Sequence, residues 1–133
     1  MTSIWEKLDF KNQQQILILN APKSFEPEIA RLPVLTIHYH IESVPHIGFA
    51  LAFVTRRAEV NALVPKLAAC APGDSILWFA CPKGTSKKEK SDLNPDTGWA
   101  ALKKAGFDAV GSVPIDEDWT ALRFRRKEFI KAR

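Results

Sequence analysis

The sequence predicts an α/β protein in which a doubly wound, mostly parallel sheet forms the middle of three layers and ends in an antiparallel C-terminal hairpin. Two apolar runs, residues 16–19 and 76–79, indicate strands that are covered on both faces, as in parallel sheets. Segments with helical patterns lie between the predicted strands, as in doubly wound proteins. The last two predicted strands, 110–115 and 119–126, are three residues apart. A parallel crossover would need a dozen residues or more, so these strands form a hairpin.

Length and composition fit one soluble domain over residues 1–133. The chain is 46% apolar and 26% charged, which is typical of globular proteins. The N-terminus lacks the layout of a signal peptide, and the longest apolar stretch, 47–54, is too short to cross a bilayer. Cys70 and Cys81 form neither a CxxC pair nor a disulfide framework. We therefore expect a cytoplasmic protein without membrane contact, whose two cysteines are small buried side chains.

The chain is predicted to begin with a short helix and a buried strand. Ser3 and Glu6 have capping-box spacing, which predicts a helix that ends before Lys11 and packs against the sheet. The first strand follows over residues 16–20, where every residue but the last is a large aliphatic one.

The next segment is predicted to form a brief helix and an edge strand. The helix spans residues 27–32 and ends at Pro33, because proline disfavours helical geometry in the residue before it. The strand spans residues 34–41 and alternates in character. Its apolar face carries Leu35, Ile37, Tyr39 and Ile41, and its polar face carries Thr36, His38, His40 and Glu42. One polar face is typical of an edge strand, and dimerisation through this edge is an open alternative.

A central strand, a long helix and a further strand are predicted in the middle of the chain. Residues 47–54 are apolar on both faces, and Thr55 is a plausible N-cap for the helix that follows. Apolar residues at helical spacing from Val60 onward predict a buried stripe, and Pro65 is expected to kink or divide this helix. After a turn, residues 75–81 form the next strand.

The last helix and the hairpin are marked by strong turn and end signals. Asn94 caps a helix with Pro95 at its first position, and Gly106 follows its end. The three carboxylates of residues 116–118 could do acid–base chemistry if they were buried. A tight hairpin is exposed, so we interpret them as turn residues.

The order of elements resembles a class I methyltransferase domain. Residues 71–78 (APGDSILW) resemble the turn and fifth strand of that fold, and residues 110–126 resemble its closing hairpin. The patterns ILNAP, PKLAACAPGDSILWFACPK and VPIDEDWTALRFRRK also resemble a small bacterial family known as a domain of unknown function. The resemblance covers most of the chain and implies one strand–helix unit fewer than the full fold. It implies a sheet in which the strands follow in the order of their first residues: Val34, Ile16, Ile47, Ser75, Trp119 and Val110.

The resemblance implies S-adenosylmethionine as a cofactor, but the sequence departs from the family where that cofactor binds. Methyltransferases place a glycine-rich loop after the first strand, and residues 20–27 contain no glycine. The acidic residue expected at the end of the second strand has only Glu42 as a candidate, and the Asn/Asp-Pro-Pro-aromatic motif is absent. We therefore predict no cofactor. A divergent or degenerate S-adenosylmethionine-dependent methyltransferase is the alternative.

Two strands end in the same Pro-Lys pattern, and this predicts where a ligand would bind. Ligands of open α/β sheets lie at the carboxyl ends of the strands, where ammonium, hydroxyl and backbone groups can bind a phosphate or carboxylate. The candidate ligand-binding residues are Asn20, Lys23, Ser24, Cys81, Lys83 and Thr85. The competing interpretation is that proline ends each strand and lysine is solvated. The sequence thus favours a non-catalytic binding or interaction module with a small anionic ligand.

Two further patterns leave other functions open. His38 and His40 share a strand face near Glu42 and His46, which is a weak metal pattern and more typical of a polar surface. Residues 123–133 hold six basic groups against Glu128, a net charge of +5. Such a tail could bind nucleic acid or an acidic partner, which makes an accessory protein the third alternative.

Overall fold

The computed structural model describes residues 3–11, 13–43, 46–83, 92–93 and 98–130, which form a six-stranded mixed sheet with helices on both faces. The strands are β1 (Gln15–Leu19), β2 (Thr36–His38), β3 (Phe49–Phe53), β4 (Ile76–Pro82), β5 (Phe107–Pro114) and β6 (Trp119–Arg126). They lie in the order β2-β1-β3-β4-β6-β5. The first four strands are parallel, and β6 is antiparallel to both β4 and β5. The predicted fold class, strand order and closing hairpin are confirmed.

Within the described residues, four short or medium helices accompany the sheet: α1 (Ile4–Lys7), α2 (Glu26–Ile29), α3 (Arg57–Cys70) and α4 (Ala100–Lys104). Turns of 3₁₀ helix occupy Lys23–Phe25, Ile41–Ser43 and Lys127–Phe129. In the described part of the chain, no helix is long and apolar enough to cross a membrane.

The sheet separates two hydrophobic cores, and β4 contributes to both. Leu77, Phe79 and Cys81 pack in the core beneath α3 and α4. Trp78 and Ala80 pack in the core beneath α1 and α2. Successive side chains of a strand point to opposite faces of the sheet, so a strand covered on both faces must be apolar throughout.

Helix α1 has the predicted capping box and is held against the sheet by specific hydrogen bonds. The Ser3 hydroxyl accepts from the Glu6 N–H at 3.2 Å, and the Glu6 carboxylate accepts from the Ser3 N–H at 3.5 Å. The indole N–H of Trp78 donates to the Leu8 carbonyl at 2.8 Å. Asp9, at a φ of +63°, pairs with Arg123 at 2.6 Å. These contacts fix the chain where it leaves the one-turn helix.

Strand β2 is shorter than the predicted 34–41. Val34 is fully exposed, and pairing begins where the Thr36 N–H donates to the Gln14 carbonyl at 3.0 Å. At the other end, the chain turns into the Ile41–Ser43 helix, which buries Ile41 in the core beneath α3. The apolar alternation therefore continues past the strand, because Ile41 is buried from a turn and not from the sheet.

The predicted bounds of α3 and α4 also change. Pro65 does not divide α3. Proline has no N–H to donate to the Asn61 carbonyl, but both residues are on the exposed side of the helix, where water can bind that carbonyl. The N-cap is Arg56 and not Thr55, and the Glu59 carboxylate accepts from the Arg56 N–H at 3.0 Å. The predicted cap at Asn94 and the first position at Pro95 lie outside the described residues. Helix α4 is described from Ala100.

Arginines of β6 tie the end of the chain to the turn that follows α3. The Arg126 guanidinium donates to the carbonyls of Ala68, Ala71 and Gly73 and lies 4.8 Å from the centre of the Phe107 ring. The last carbonyls of a helix lack donors of their own, so Arg126 acts as the C-terminal cap of α3.

Replacing Arg126 by lysine should destabilise the fold. The single Nζ of Arg126→Lys replaces two guanidinium nitrogens that together bind three carbonyls, so we expect it to lose some of these hydrogen bonds. Leaving partly buried acceptors without donors costs about 1 to 3 kcal/mol in the free energy of unfolding. Urea denaturation measures this loss. Arg125→Lys, on the same strand, is the control and should cost less, because its partner Asp74 is at the surface. Equal losses in the two variants would contradict the capping role.

The ion pair between Arg125 and Asp74 should make the free energy of unfolding depend on pH in the acid range. Arg125 donates to both carboxylate oxygens of Asp74, at 2.8 and 2.7 Å, and these hydrogen bonds hold the pKa of Asp74 below its ordinary value. A carboxylate whose pKa is lowered by folding stabilises the fold above its unfolded pKa of about 3.9. That contribution is lost as the pH falls through the lower, folded pKa.

The difference in unfolding free energy between the wild type and Asp74→Asn should therefore be largest near neutral pH and shrink below about pH 4. Urea unfolding at several pH values measures it. Glu128→Gln, at an exposed carboxylate of the Lys127–Phe129 turn, is the matched control. A difference between wild type and Asp74→Asn that does not vary with pH would show that the ionised carboxylate is not the stabilising form.

Candidate functional site

The loop after β1 reverses the chain at the carboxyl edge of the sheet. Asn20 directly follows β1 and has a φ of +58°, a left-handed conformation that asparagine adopts more readily than other non-glycine residues. Its side-chain amide donates to the Phe53 carbonyl at 3.5 Å, at the end of β3. Asparagine therefore makes a turn for which glycine is the usual residue.

Three aromatic side chains lie in a row along the same edge. Phe25 follows the β1 loop, Phe53 ends β3, and Trp119 begins β6 beside the end of β4. The ring centres are 5.1 Å apart for Phe25 and Phe53 and 5.2 Å apart for Phe53 and Trp119. All three side chains are buried. We call these three residues the aromatic row, and it closes the edge over β1 and β3 on the face that carries α1 and α2.

An open groove of about 430 Å³ lies beside the aromatic row, at the carboxyl ends of β1 and β2. Its lining residues are Ala21, Glu26, Ile29, Ala30 and Tyr39. Small-molecule sites are commonly clefts of about 300 to 1,000 Å³ lined mostly by apolar groups with a few polar ones. The groove fits that description in size, position and lining.

One wall of the groove is the single turn of α2. Glu26, Ile29 and Ala30 have the i, i+3, i+4 spacing that places side chains on one helix face. The turn is held from behind by Trp5, whose indole N–H donates to the Glu28 carbonyl at 2.7 Å and whose ring contacts Phe25. The groove therefore has a wall that is fixed by tertiary contacts.

The other wall is Tyr39, whose side chain is 50% exposed. Sequence reasoning assigned Tyr39 to the apolar face of a longer strand and did not identify Glu26 as a site residue. The i, i+3, i+4 spacing of residues 26, 29 and 30 was the available signal for a helix face. The sequence held no signal for what lies opposite that face, because β2 ends at His38.

The predicted anion-binding residues are spread along the edge outside the groove. Lys23 and Ser24 are exposed on the 3₁₀ turn after β1. Lys83 follows β4, and its backbone N–H donates to the Asp118 carbonyl at 2.8 Å. Cys81 is fully buried in the core beneath α3 and α4. Thr85 lies outside the described residues, and Asn20 is adjacent to the groove residue Ala21.

The structure tests whether the residues implied by the methyltransferase resemblance fit S-adenosylmethionine. Asn20, with a side chain, stands at the turn where the family has glycine. Glu42, the candidate for the ribose contact, pairs with Lys66 of α3 at 3.1 Å, and this hydrogen bond lowers the pKa of the Glu42 carboxyl. The aromatic row fills part of the same edge. These residues do not fit the cofactor in the way that the resemblance implies.

The other ionisable patterns serve local structure. His38 Nε2 and the Gln15 carboxamide oxygen are 2.9 Å apart, between neighbouring strands. The Asp116 carboxylate accepts from the N–H groups of Asp118 and Trp119 at 2.8 and 3.0 Å, as expected of a turn residue. Within the described ranges, no group of three or more histidine, cysteine or acidic side chains is placed to hold a metal ion.

Solved structures of similar fold include methyltransferases. A ribosomal protein L11 methylase from Lactobacillus delbrueckii subsp. bulgaricus matches with a TM-score of 0.56 at 12% identity, over 92% of this chain and 74% of that one. The fibrillarin pre-rRNA processing protein of Methanococcus jannaschii matches with a TM-score of 0.54 at 10% identity, over 94% and 75%. LepI C52A, in complex with S-adenosylhomocysteine and a substrate analogue, matches with a TM-score of 0.56 at 11% identity, over 93% and 39%.

These likenesses show a methyltransferase-like Rossmann fold, and at such identities they show the fold alone. The predicted methyltransferase-like architecture is confirmed. No protein-family model matches this chain, and no curated protein matches it. The resemblance to a domain of unknown function therefore stays a prediction.

Both cysteines should be unreactive in the folded protein. Cys70 and Cys81 are free and buried, as predicted, and burial raises the pKa of both thiols, that of Cys81 to about 11. The thiolate is the reactive form, so alkylation at neutral pH should be slow until the protein unfolds. Mass spectrometry after iodoacetamide treatment, with and without urea, measures this. Ser24→Cys supplies an exposed control thiol, and labelling of native Cys81 at the rate of that control would contradict the prediction.

Proposed function

We propose that this chain is a small-molecule-binding module, a single domain built on the methyltransferase-like fold, whose ligand lies in the groove at the carboxyl ends of β1 and β2. The observation that carries the proposal is the groove itself, about 430 Å³ in volume, with one carboxylate and one aromatic ring among apolar lining residues. Ligands of open α/β sheets bind at this edge.

The neighbouring part of the edge favours the groove over the centre of the sheet. The aromatic row occupies the space above β1 and β3 with buried rings. A ligand seated there would have to displace Phe25 or Trp119 from the core, and burying such a side chain stabilises a protein by about 1.5 to 3 kcal/mol. A ligand in the groove displaces no core side chain.

Two ionisable groups close to this edge, Cys81 and Asp116, are not available for a chemical step. The Cys81 thiol is buried and has a pKa of about 11, so it is protonated at neutral pH. The Asp116 carboxylate is occupied by the backbone of its own turn. A catalytic base or nucleophile must reach the reacting atom, and these two groups face the protein interior or its backbone.

A divergent S-adenosylmethionine-dependent methyltransferase is the alternative. LepI, which shares the fold, is solved with S-adenosylhomocysteine, and the L11 protein is a methylase. Against it stand Asn20 at the loop and the pairing of Glu42 with Lys66. The same binding experiment separates the two functions.

A small anion bound by Lys23, Ser24 and Lys83 is a second site that we propose on the same edge. The first two residues are exposed after β1, and Lys83 follows β4, two strands away. The basic tail is a weaker candidate for nucleic acid. Arg123 and Arg125 are paired with Asp9 and Asp74, and Arg126 is bound to carbonyls.

Filling the groove should abolish ligand binding. Ala30→Trp places a large ring in the groove, and Ala69→Trp places the same ring on the exposed side of α3 as a matched control. Thermal shifts are measured on the full chain with aromatic amines, nucleosides, S-adenosylmethionine, S-adenosylhomocysteine and phosphate. A ligand at 100 times its dissociation constant stabilises a protein by about 2.7 kcal/mol, which such a measurement resolves. We expect shifts in the wild type and Ala69→Trp that disappear in Ala30→Trp.

Three outcomes decide between the proposals. No shift with any compound contradicts the binding module. A thermal shift with S-adenosylmethionine supports the methyltransferase instead if substitution of Asn20 or Glu42 abolishes it and Ala30→Trp leaves it unchanged. A phosphate shift that Lys23→Ala and Lys83→Ala remove supports the anion site.

A further inference from the structure

We infer that the groove selects a small ligand that combines a flat ring with a positive charge, such as an arylalkyl ammonium ion. This inference rests on the proposed function and adds the chemical class of the ligand. It departs from the anionic ligand that the Pro-Lys pattern predicts, because the charge inside the groove has the opposite sign.

The charge of the groove comes from Glu26. The other described residues that line the groove, Ala21, Ile29, Ala30 and Tyr39, carry no formal charge. Glu26 forms no ion pair with any residue that the structure describes, whereas Glu28 on the same turn pairs with Arg31 at 3.8 Å. A carboxylate that lines a binding groove favours a cation and disfavours an anion even where it is exposed, and a hydrogen bond to such a charged group is about twice as strong as a neutral one.

The shape of the groove comes from Tyr39 and the α2 face. Ile29 and Ala30 present aliphatic surface, and Tyr39 presents a ring that is half exposed. An aromatic ligand can stack on such a ring, and a cation near its face gains a further attraction. Together these residues suit a ligand with an apolar ring between Tyr39 and α2 and an ammonium group at Glu26.

Lys23 is the nearest cation along the chain, three residues before Glu26. It is exposed on the 3₁₀ turn and does not line the groove. Water and salt screen both exposed charges, and of the two only Glu26 lines the groove, so a ligand in the groove still meets the carboxylate and not the ammonium.

Three probes of the same shape test the inference on the full chain: benzylamine, benzyl alcohol and benzoate. Dissociation constants are measured by chemical-shift titration at neutral pH. We expect benzylamine to bind about tenfold more tightly than benzoate, with benzyl alcohol between them. Glu26→Gln should bring the three constants to within about twofold of one another.

Matched variants separate charge from shape. Glu28→Gln removes a carboxylate from the same turn but outside the groove, and it should preserve the tenfold preference. Tyr39→Leu should weaken the binding of all three probes and leave benzylamine the tightest of them, because it removes the ring and not the carboxylate. Glu26 is exposed and Glu28 is partly buried, and urea denaturation checks that each variant is folded.

The outcomes distinguish this inference from the proposed function. Benzoate binding as tightly as benzylamine, with both lost in Ala30→Trp, overturns the cation preference and leaves the groove as a binding site. An unchanged preference in Glu26→Gln also overturns it. If none of the three probes binds at millimolar concentration, the inference is wrong, and the shifts of the wider panel in Ala30→Trp decide the function separately.

Discussion

The sheet depends on β4, because this strand joins the parallel half of the sheet to the antiparallel half. It pairs in parallel with β3 and antiparallel with β6, and six of its seven residues are buried. Its side chains alternate between the two cores, so a polar group on either face would be buried without water. The end of β4 places Trp119 opposite Pro82, and the aromatic row begins from there.

The aromatic row and the groove are two results of one turn. Phe25 inserts into the core against Phe53, and this fixes the 3₁₀ turn that immediately precedes α2. The buried ring closes the edge above β1 and β3, and the next five residues, 26–30, form one wall of the groove. A family glycine loop at this point would leave room for a ligand above β1. Here the buried Phe25 ring occupies that room, the exposed Asn20 donates to the Phe53 carbonyl, and the open groove lies toward β2.

The architecture was predictable because it rests on local patterns, and the site was not because it rests on contacts between distant residues. Apolar runs and the three-residue connection at residues 116–118 were enough for the strands and the hairpin, and the strand order followed from the resemblance to a methyltransferase domain. The ends of β2 were not predictable from the sequence, because a residue such as Ile41 that is buried from a turn gives the same apolar alternation as one that is buried from a strand. The basic tail was interpreted as a possible site for nucleic acid or an acidic partner, but Arg126 binds carbonyls that are 53 to 58 residues away.

The wall of the groove that α2 forms would not be stable as an isolated helix. Helix α2 has only four residues. Nucleation of a helix is unfavourable, and so short a helix gains almost nothing from propagation, so α2 depends on tertiary contacts for its stability. Trp5 supplies them through the hydrogen bond to the Glu28 carbonyl, and α1 is itself held by Trp78 and by the pair of Asp9 with Arg123. Coupling between two sites is reciprocal. A ligand that packs against Ile29 would therefore stabilise the docking of α1. Undocking of α1 would in turn weaken the binding of that ligand by the same coupling free energy.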